Sequence, residues 1–267
     1  MPLFTSFPTL PRRWRRRPFR SRMATRLALL ALFLLILLPL YWIYKPPTFL
    51  IKLLQHRYPS VLLHHPTTQK LIALTIDDAP SEFTLPVLDL LKEHGAKATF
   101  FAIGSQIPGR EDILRQILLA GSEIGNHAMH DEPSINLSSQ VLKDEISKVD
   151  ETINEIYASV NMTRLPTQRY FRPGSGIFSQ RILDLAQGLG YRTVLGSVYP
   201  HDPFVKFWRV NAWNVLSGIR PGAVVICHDR RGWTLPMLQR VVPELVRRGY
   251  RVVTVSGLLA VHTEGKT

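Results

Sequence analysis

From about residue 70 onward, the apolar and polar residues follow two patterns that alternate along the chain. Short apolar runs of strand length recur between stretches in which apolar residues return every three to four positions, as on one face of a helix. The predicted strands are 71–76, 98–102, 123–126, 170–171, 192–196, 223–227 and 251–255. The predicted helices are 85–94, 110–120, 138–160, 179–189, 204–218 and 235–248. Such an alternation indicates an α/β domain with a parallel sheet covered by helices, over residues 70–262; the pattern leaves barrel and open sheet as alternatives.

A longer apolar run precedes this domain. Residues 27–44 carry no charge and end in Tyr41, Trp42 and Tyr44. A membrane-spanning helix needs about 20 apolar residues, and aromatic side chains favour the membrane interface. A cleaved signal peptide has a shorter apolar core followed by small residues, and residues 41–46 offer no such cleavage site. The sequence therefore predicts an uncleaved transmembrane anchor at 27–44.

The charge of the chain is concentrated beside this run. The formal charge is +13, eight arginines lie between Arg12 and Arg26, and no acidic residue precedes Asp77. Because basic residues remain on the cytosolic side, residues 1–26 are predicted to be a cytosolic tail and the C-terminal domain to be extracytoplasmic. The same position argues against a nucleic-acid-binding patch. Residues 45–69 begin with a proline pair, show no clear periodicity and are expected to form a stem.

Polar side chains follow the predicted strands at their carboxyl ends, where parallel α/β architectures gather functional groups. Two neighbouring carboxylates at a strand end can divide two tasks, since one can bind a metal while the other faces the substrate water. A histidine and its neighbours on one turn can supply further metal ligands. Each cluster alone is equally typical of a turn. In chain order the clusters are Asp77-Asp78, His127 with His130 and Asp131, Arg172 with Gly174 and Ser175, His201-Asp202, and His228-Asp229.

This order of motifs resembles the polysaccharide deacetylases of the NodB-homology type, carbohydrate esterase family four, over roughly residues 70–260. The resemblance implies a distorted (β/α) barrel of seven strands. It also implies an enzyme that removes acetyl groups from N-acetylglucosamine polymers or O-acetylated glycans, with a divalent metal, commonly zinc. An acetylated, chitin-like glycan is then the expected substrate, and nothing in the sequence indicates a protein partner.

The resemblance assigns roles residue by residue. Thr75-Ile76-Asp77-Asp78 is similar to the first motif, which implies Asp77 as general base and Asp78 as metal ligand. Arg172-Pro173-Gly174-Ser175-Gly176 is similar to the third, which implies an Arg172–Asp77 ion pair and backbone donors to the oxyanion near Gly174 and Ser175. Asp202 belongs to a fourth motif and would orient His228. The last motif resembles Ile226-Cys227-His228, with His228 as general acid.

Two motifs depart from the family pattern. The second usually places two histidines four residues apart, whereas Asp131 is the fourth residue after His127 and His130 comes one place early. The spacing favours Asp131 as the third ligand beside Asp78 and His127, with His130 as the alternative and cobalt or another divalent ion also possible. Ser175 stands where an aromatic residue is often found. Two rival functions therefore stay open, a glycan-binding protein without catalysis and an amidase acting on a non-sugar C–N bond.

The remaining features indicate structure or location. Cys227, the only cysteine, lies in an apolar run and is expected in the core. The aromatic residues Phe207, Trp208 and Trp213 have helix spacing, which is more typical of core residues than of a sugar-binding platform. Triplets that fit the N-glycosylation pattern begin at Asn136 and Asn161, in agreement with an extracytoplasmic domain.

Overall fold

The computed structural model describes residues 19–261, and the chain divides into two compact units at Pro46. The described part of the first unit is one helix, α1 (Phe19–Tyr44). Its segment Met23–Tyr44 is long and apolar enough to cross a membrane, although a signal sequence near an N-terminus would pass the same test. Most of the predicted cytosolic tail, residues 1–18, lies outside the described residues.

The second unit alternates strands and helices, as the sequence predicts. Its strands are β1 (Val61–Leu62), β2 (Leu71–Ala79), β3 (Thr99–Ala102), β4 (Glu123–Asn126), β5 (Tyr170–Phe171), β6 (Arg192–Val194), β7 (Val224–His228) and β8 (Arg251–Val253). Its helices are α2 (Thr48–Arg57), α3 (Thr84–Glu93), α4 (Glu111–Leu119), α5 (Ser139–Ser159), α6 (Gln180–Gly188), α7 (Trp208–Gly218), α8 (Thr234–Arg247) and α9 (Val255–Leu259). Short 3₁₀ turns join several of them.

The strands form one parallel sheet that curls toward a barrel. Their order is β1-β6-β5-β4-β3-β2-β7, and β8 pairs with the first residues of β2. Single bridges connect the two ends of this order, because Val198, just after β6, pairs with Val225 of β7, and His64, just after β1, pairs with Ala223. The predicted distorted barrel is therefore confirmed, with β2 as the strand that neighbours β3, β7 and β8.

The two faces of β2 explain where the core and the polar groups lie. Ile72, Leu74 and Ile76 pack outward, in a core shared with helices α3, α4, α5 and α8. The alternate residues Leu71 and Ala73 belong to a second cluster that fills the barrel interior. Thr75 and Asp77 continue this inward row because side chains of a strand alternate between its faces. The barrel is thus apolar at the amino ends of its strands and polar at their carboxyl ends.

The segment expected to form a stem is largely folded into the second unit. Within 45–69, Ile51 of α2 and Val61 of β1 are buried in a cluster that includes Leu195. Strand β1 pairs in parallel with β6, and the Gln55 side chain donates to the carbonyl of Val61 (2.7 Å). The prediction of a stem differs from the structure from residue 48 onward, because the buried apolar positions of α2 and β1 are too few to give a visible period.

Candidate active site

The carboxyl ends of the strands surround a cavity of about 440 Å³. Polar side chains from the ends of four strands line it, and most of the predicted site residues are among them. From β2, β4, β5 and β7 respectively, these are Asp77 and Asp78, His127 and Asp131, Arg172 and Ser175, and His228. The structure thus brings these residues together at one edge of the sheet, where the carboxyl ends of parallel strands meet.

Both carboxylates of the Asp77-Asp78 pair reach the cavity because the end of β2 is irregular. Neighbouring residues of a regular strand point to opposite faces. Here the pairing of β2 with β3 shifts register between Ile76 and Ala79, and Asp78 has a φ of 64°. A left-handed backbone is uncommon outside glycine, although the short polar side chain of aspartate tolerates it. The kink places two acids beside each other in one cavity.

Arg172 holds Asp77 in a fixed orientation. Its Nη1 donates to both carboxylate oxygens of Asp77 (3.0 and 2.9 Å), and its Nη2 donates to Oγ1 of Thr75 (3.0 Å). Its Nε donates to the carbonyl of Val194 (2.7 Å), and the guanidinium lies 4.5 Å from the ring centre of Phe101. The side chain is fully buried. Removing either charge would leave the other buried without its partner, a loss of about 3–5 kcal/mol of folding free energy.

His228 and Asp202 form a second pair at the end of β7. Oδ1 of Asp202 lies 2.9 Å from Nδ1 of His228, and Oδ2 accepts the backbone N–H of His228 (2.7 Å). This leaves Nε2 of His228 toward the cavity, 4.0 Å from Oδ2 of Asp77. Burial alone would lower the pKa of His228, but the hydrogen bond and charge of Asp202, assisted by Asp77 and Asp78, raise it above its ordinary value. The imidazole is therefore disposed to carry a proton.

Asp78, His127 and Asp131 form a group that fits a divalent metal ion. One ligand atom from each lies within 4.8 Å of the others. Nδ1 of His127 lies 2.8 Å from the carbonyl of Arg172, and because a carbonyl only accepts, the proton belongs on Nδ1 and the lone pair on Nε2. That Nε2 lies 3.7 Å from Oδ1 of Asp78.

The surroundings of Asp78 provide a test of this fit. Its Oδ1 is buried and receives no hydrogen bond among the described residues. Burial raises the pKa of Asp78, and the nearby His127 and His228 only partly oppose that effect. A buried carboxylate oxygen without a partner is costly in free energy, and a cation between the three side chains would remove that cost. The donor chemistry, two carboxylates and one imidazole, is acceptable to zinc and to other divalent ions.

His130, the alternative third ligand, lies elsewhere. Its side chain is exposed, and it belongs neither to the three-residue group nor to the lining of the cavity within the described residues. Ala128, with a φ of 62°, turns the chain directly after His127. The turn brings Asp131, rather than His130, back toward Asp78.

Of the two residues of the third motif that were expected near the oxyanion, only one lines the cavity. Ser175 lines the cavity with a left-handed φ of 61°. Gly174 does not line it, since its N–H donates to Oγ of Ser134 (2.8 Å) and a Cβ there would meet the carbonyl oxygen of Glu132 at 2.0 Å. The prediction that Gly174 contributes to the oxyanion site is therefore not supported; its role is to let two chain segments pass closely. Gly176 lines the cavity instead.

Several residues of the site were not predicted. Nη2 of Arg231 lies 3.5 Å from Oδ2 of Asp78. The ring of Tyr199 packs edge-on against His228, with 5.9 Å between ring centres. Leu63, Leu195 and Ile226 form an apolar wall. Among them only Ile226 belongs to a predicted motif, without an assigned role, and Leu63 lies in the segment expected to be a stem.

Asp229 supports the site from behind. Its carboxylate accepts hydrogen bonds from Oγ of Ser81 (2.7 Å) and from the hydroxyl of Thr84. Its N–H donates to the carbonyl of Asp77 (2.8 Å). Burial raises the pKa of Asp229, and the two hydroxyl groups counteract that rise. Asp229 thereby joins the ends of β2 and β7. Cys227, beside His228, is fully buried in the core, as predicted.

Comparison with known proteins gives consistent matches. The model of the protein family described as "Polysaccharide deacetylase" matches residues 64–194. A peptidoglycan-N-acetylglucosamine deacetylase of Bacillus cereus is 34% identical over 205 residues, which cover 73% of this chain and 90% of that protein. A chitooligosaccharide deacetylase of a Bradyrhizobium species is 32% identical over 68% of this chain and 87% of that protein.

Solved structures share the architecture. A carbohydrate esterase family four pseudoenzyme from Bacillus anthracis has a TM-score of 0.67 and 28% identity, covering 75% of this chain and 69% of that one. With a parallel barrel in common and 34% identity across 90% of a curated deacetylase, this chain belongs to the polysaccharide deacetylase family, carbohydrate esterase family four, as its motifs predict.

Proposed function

We propose that the protein is a metal-dependent hydrolase that removes acetyl groups from N-acetylglucosamine-containing glycans. The observation that carries this proposal is the separation of 4.0 Å between Nε2 of His228 and Oδ2 of Asp77. One of these groups is buried against an arginine and the other against an aspartate. A fixed base and a fixed acid that face the same cavity suit the hydrolysis of an amide, in which one proton is removed and another delivered.

Asp78, His127 and Asp131 would hold the metal ion, with zinc as the first candidate and cobalt or another divalent ion as alternatives. When bound, such an ion lowers the pKa of a water molecule and polarises a carbonyl group. His127 keeps its Nε2 available for this purpose because its Nδ1 is engaged by the carbonyl of Arg172. Arg231 lies on the other oxygen of Asp78 and would fix the orientation of that carboxylate.

The protein side chains would carry the proton transfers. Asp77, oriented by Arg172, takes a proton from a water molecule, and the oxygen of that water adds to the acetyl carbonyl carbon. The backbone N–H of Ser175, at the cavity wall, is the candidate donor to the carbonyl oxygen as it becomes negative. His228 gives its proton to the sugar nitrogen as the C–N bond breaks, and Asp202 stabilises the imidazolium. The products are acetate and the free amino sugar.

The substrate class is supported by the relatives and by the cavity. The Bacillus cereus and Bradyrhizobium proteins are named for peptidoglycan N-acetylglucosamine and for chitooligosaccharides, and both names refer to N-acetylated amino sugars. The apolar wall of Leu63, Leu195 and Ile226 suits the methyl group of an acetyl substituent. Peptidoglycan and chitin-type glycans are therefore the first substrates to test.

The function is tested by measuring acetate release by the full-length chain in a non-ionic detergent with added divalent metal. The substrates are chitin oligomers, peptidoglycan and acetylated xylan. We expect Asp77→Asn to abolish acetate release while the bound metal, measured by elemental analysis, stays nearly intact, because Asp77 is outside the metal group. Asp89→Asn, on an exposed carboxylate, is the matched control. Unchanged acetate release by Asp77→Asn would exclude Asp77 as the base.

A glycan-binding protein without catalysis is the second candidate, since a pseudoenzyme is among the structural matches. The same assay separates the two functions. Binding of these glycans by metal-loaded protein, with no acetate released from any of them, would favour the second candidate. The assembled base, acid and metal group in this chain favour the first.

The location is part of the proposal. The helix segment Met23–Tyr44 would anchor the chain in a membrane as a single pass. The arginines between Arg12 and Arg26 would keep the N-terminus in the cytosol and place the hydrolase domain outside it. Acetylated glycans of a wall or cell surface would then be within reach. Asn136 and Asn161, both exposed, would be on the same side of the membrane as that domain.

A further inference from the structure

Large apolar side chains are exposed along one surface beside the cavity. Phe204 is 83% exposed, Phe207 75% and Trp213 61%, and Val210 is also exposed. Phe207, Val210 and Trp213 are spaced by three residues, so they share one face of α7 and its first turn. The sequence-based expectation that Phe207 and Trp213 belong to the core is wrong. We call Phe204, Phe207, Val210 and Trp213 the aromatic stripe.

The aromatic stripe begins at the candidate active site. Phe204 lines the cavity that contains Asp77 and His228, although most of its side chain is exposed. The N–H of Phe204 donates to the carbonyl of His201 (3.0 Å) in the turn that follows β6. From there the stripe continues along α7, and the helical rise places Trp213 roughly 9 Å beyond Phe207. A ligand that follows the stripe is therefore longer than the group bound in the cavity.

The far end of the aromatic stripe is basic. A groove of about 480 Å³ is lined by Trp208 and Trp213 and by Arg209, Arg240 and Arg248. The Arg209 guanidinium lies 4.4 Å from the ring centre of Trp208, and Arg248 is engaged by Glu244. Arg240 makes no hydrogen bond or ion pair with the residues from 19 to 261. Its guanidinium therefore has all its donors available to a ligand.

We propose that the aromatic stripe and this groove bind a long, acidic glycan strand whose acetylated sugar occupies the cavity. Aromatic rings pack on the apolar faces of sugar rings, and guanidinium groups bind carboxylates. The identity of the ligand rests on the proposed function. A lipid surface also attracts aromatic and basic side chains. The stripe, however, starts within the substrate cavity, and a strand leaving the cavity on this side passes over Phe204, Phe207 and Trp213.

Selectivity for long substrates tests the stripe. The full-length chain in neutral detergent is assayed on peptidoglycan glycan strands and on the disaccharide of chitin. We expect Phe207→Ala and Trp213→Ala each to lower the ratio of kcat/KM for the long substrate over the short one by about fivefold. Leu119→Ala, an equally exposed apolar side chain on α4, is the matched control and keeps the ratio. Equal ratios in the Trp213 and Leu119 variants would overturn the proposal.

Charge selectivity tests the basic groove. We expect Arg240→Gln to lower the ratio of kcat/KM for peptidoglycan strands over neutral chitin oligomers of equal length by about threefold at low salt, and less at high salt. Arg251→Gln is the control, since Arg251 is exposed at the start of β8 and does not line this groove. An unchanged ratio in the Arg240 variant would contradict the preference for an acidic strand.

A binding experiment separates failure of this inference from failure of the proposed function. Co-sedimentation with insoluble peptidoglycan is measured in the Asp77→Asn background, with and without Trp213→Ala. Loss of binding on adding Trp213→Ala supports glycan binding by the aromatic stripe even if the wild-type chain releases no acetate. Unchanged glycan binding overturns it. In the chain that keeps Asp77, an enhancement of acetate release by anionic-lipid nanodiscs that Trp213→Ala abolishes, with no change in glycan binding, also overturns it, in favour of a lipid surface.

Discussion

The hydrogen bond from His228 to Asp202 sets the protonation of the proposed acid. Burial opposes the charged imidazole, whereas Asp202 favours it strongly enough to raise the pKa of His228. In Asp202→Asn this stabilisation is lost and the pKa falls. His228 then loses its proton at a lower pH, so the alkaline limb of the plot of kcat/KM against pH should shift to lower pH by about one pH unit. Measured pH profiles of wild type and variant test this, with metal content as the control; an unmoved alkaline limb would exclude His228 as the acid.

A second prediction concerns the metal-binding group and compares two neighbouring residues of one turn of the chain. Asp131 lies with Asp78 and His127, whereas His130 is exposed outside this group. Asp131→Ala should therefore weaken zinc binding by at least about tenfold. His130→Ala should leave zinc affinity close to wild type, since it removes no side chain of the group. Competition with a chromophoric chelator measures both, and a larger loss in the His130 variant would reverse the assignment.

Single residues differ in how far sequence could predict them. Asp77, His127 and His228 were predictable because each follows an apolar strand, and strand ends meet at one edge. Arg231 and Tyr199 were not, since their contacts with Asp78 and His228 depend on how loops fold back over the cavity. Backbone conformation was equally hidden. No sequence pattern indicates that an aspartate such as Asp78 adopts a left-handed φ, and that conformation brings both acids together.

Helix α2 and strand β1 are the elements that the sequence analysis did not predict and that the structure adds to the fold. Ile51 on α2 is 3% exposed and packs in a cluster with Val61 of β1 and with Leu195 at the cavity wall. Ile51→Ala should therefore lower the free energy of unfolding by about 2–5 kcal/mol. Leu53→Ala, on the same helix at 59% exposure, should change it by less than about 0.5 kcal/mol.

Urea denaturation followed by tryptophan fluorescence in detergent measures both variants. Similar stabilities for Ile51→Ala and Leu53→Ala would indicate that α2 does not contribute to the fold, as in the expected stem. The reason sequence missed α2 is physical. The helix has ten residues, and exposed Phe49 and Leu53 obscure the period that buried Ile51 would otherwise give. Longer helices such as α5 repeat their buried face over 21 residues and were predicted.

On the scale of the whole molecule, the barrel determines which distant residues meet. Strand β2 neighbours β3, β7 and β8, so Asp77 is opposite His228 although 151 positions separate them in sequence. Sequence predicted the strands from β2 to β8 and the polar residues after them, and the family resemblance supplied the barrel. It could not predict the closure at Val198 and His64, because single bridges leave no periodic pattern.

The anchor is the prediction that concerns the complete chain. If Met23–Tyr44 spans a membrane, the purified protein should retain it, and the chain should resist extraction by alkaline carbonate. Ile36→Arg places a charge within this run at a cost of about 2.5–3.5 kcal/mol and should increase the extracted fraction, whereas Ile36→Val should not. Mass spectrometry of the mature N-terminus measures the cleavage directly. A mature chain that begins after Tyr44 would show a signal peptide instead, and the hydrolase domain would then act without a membrane anchor.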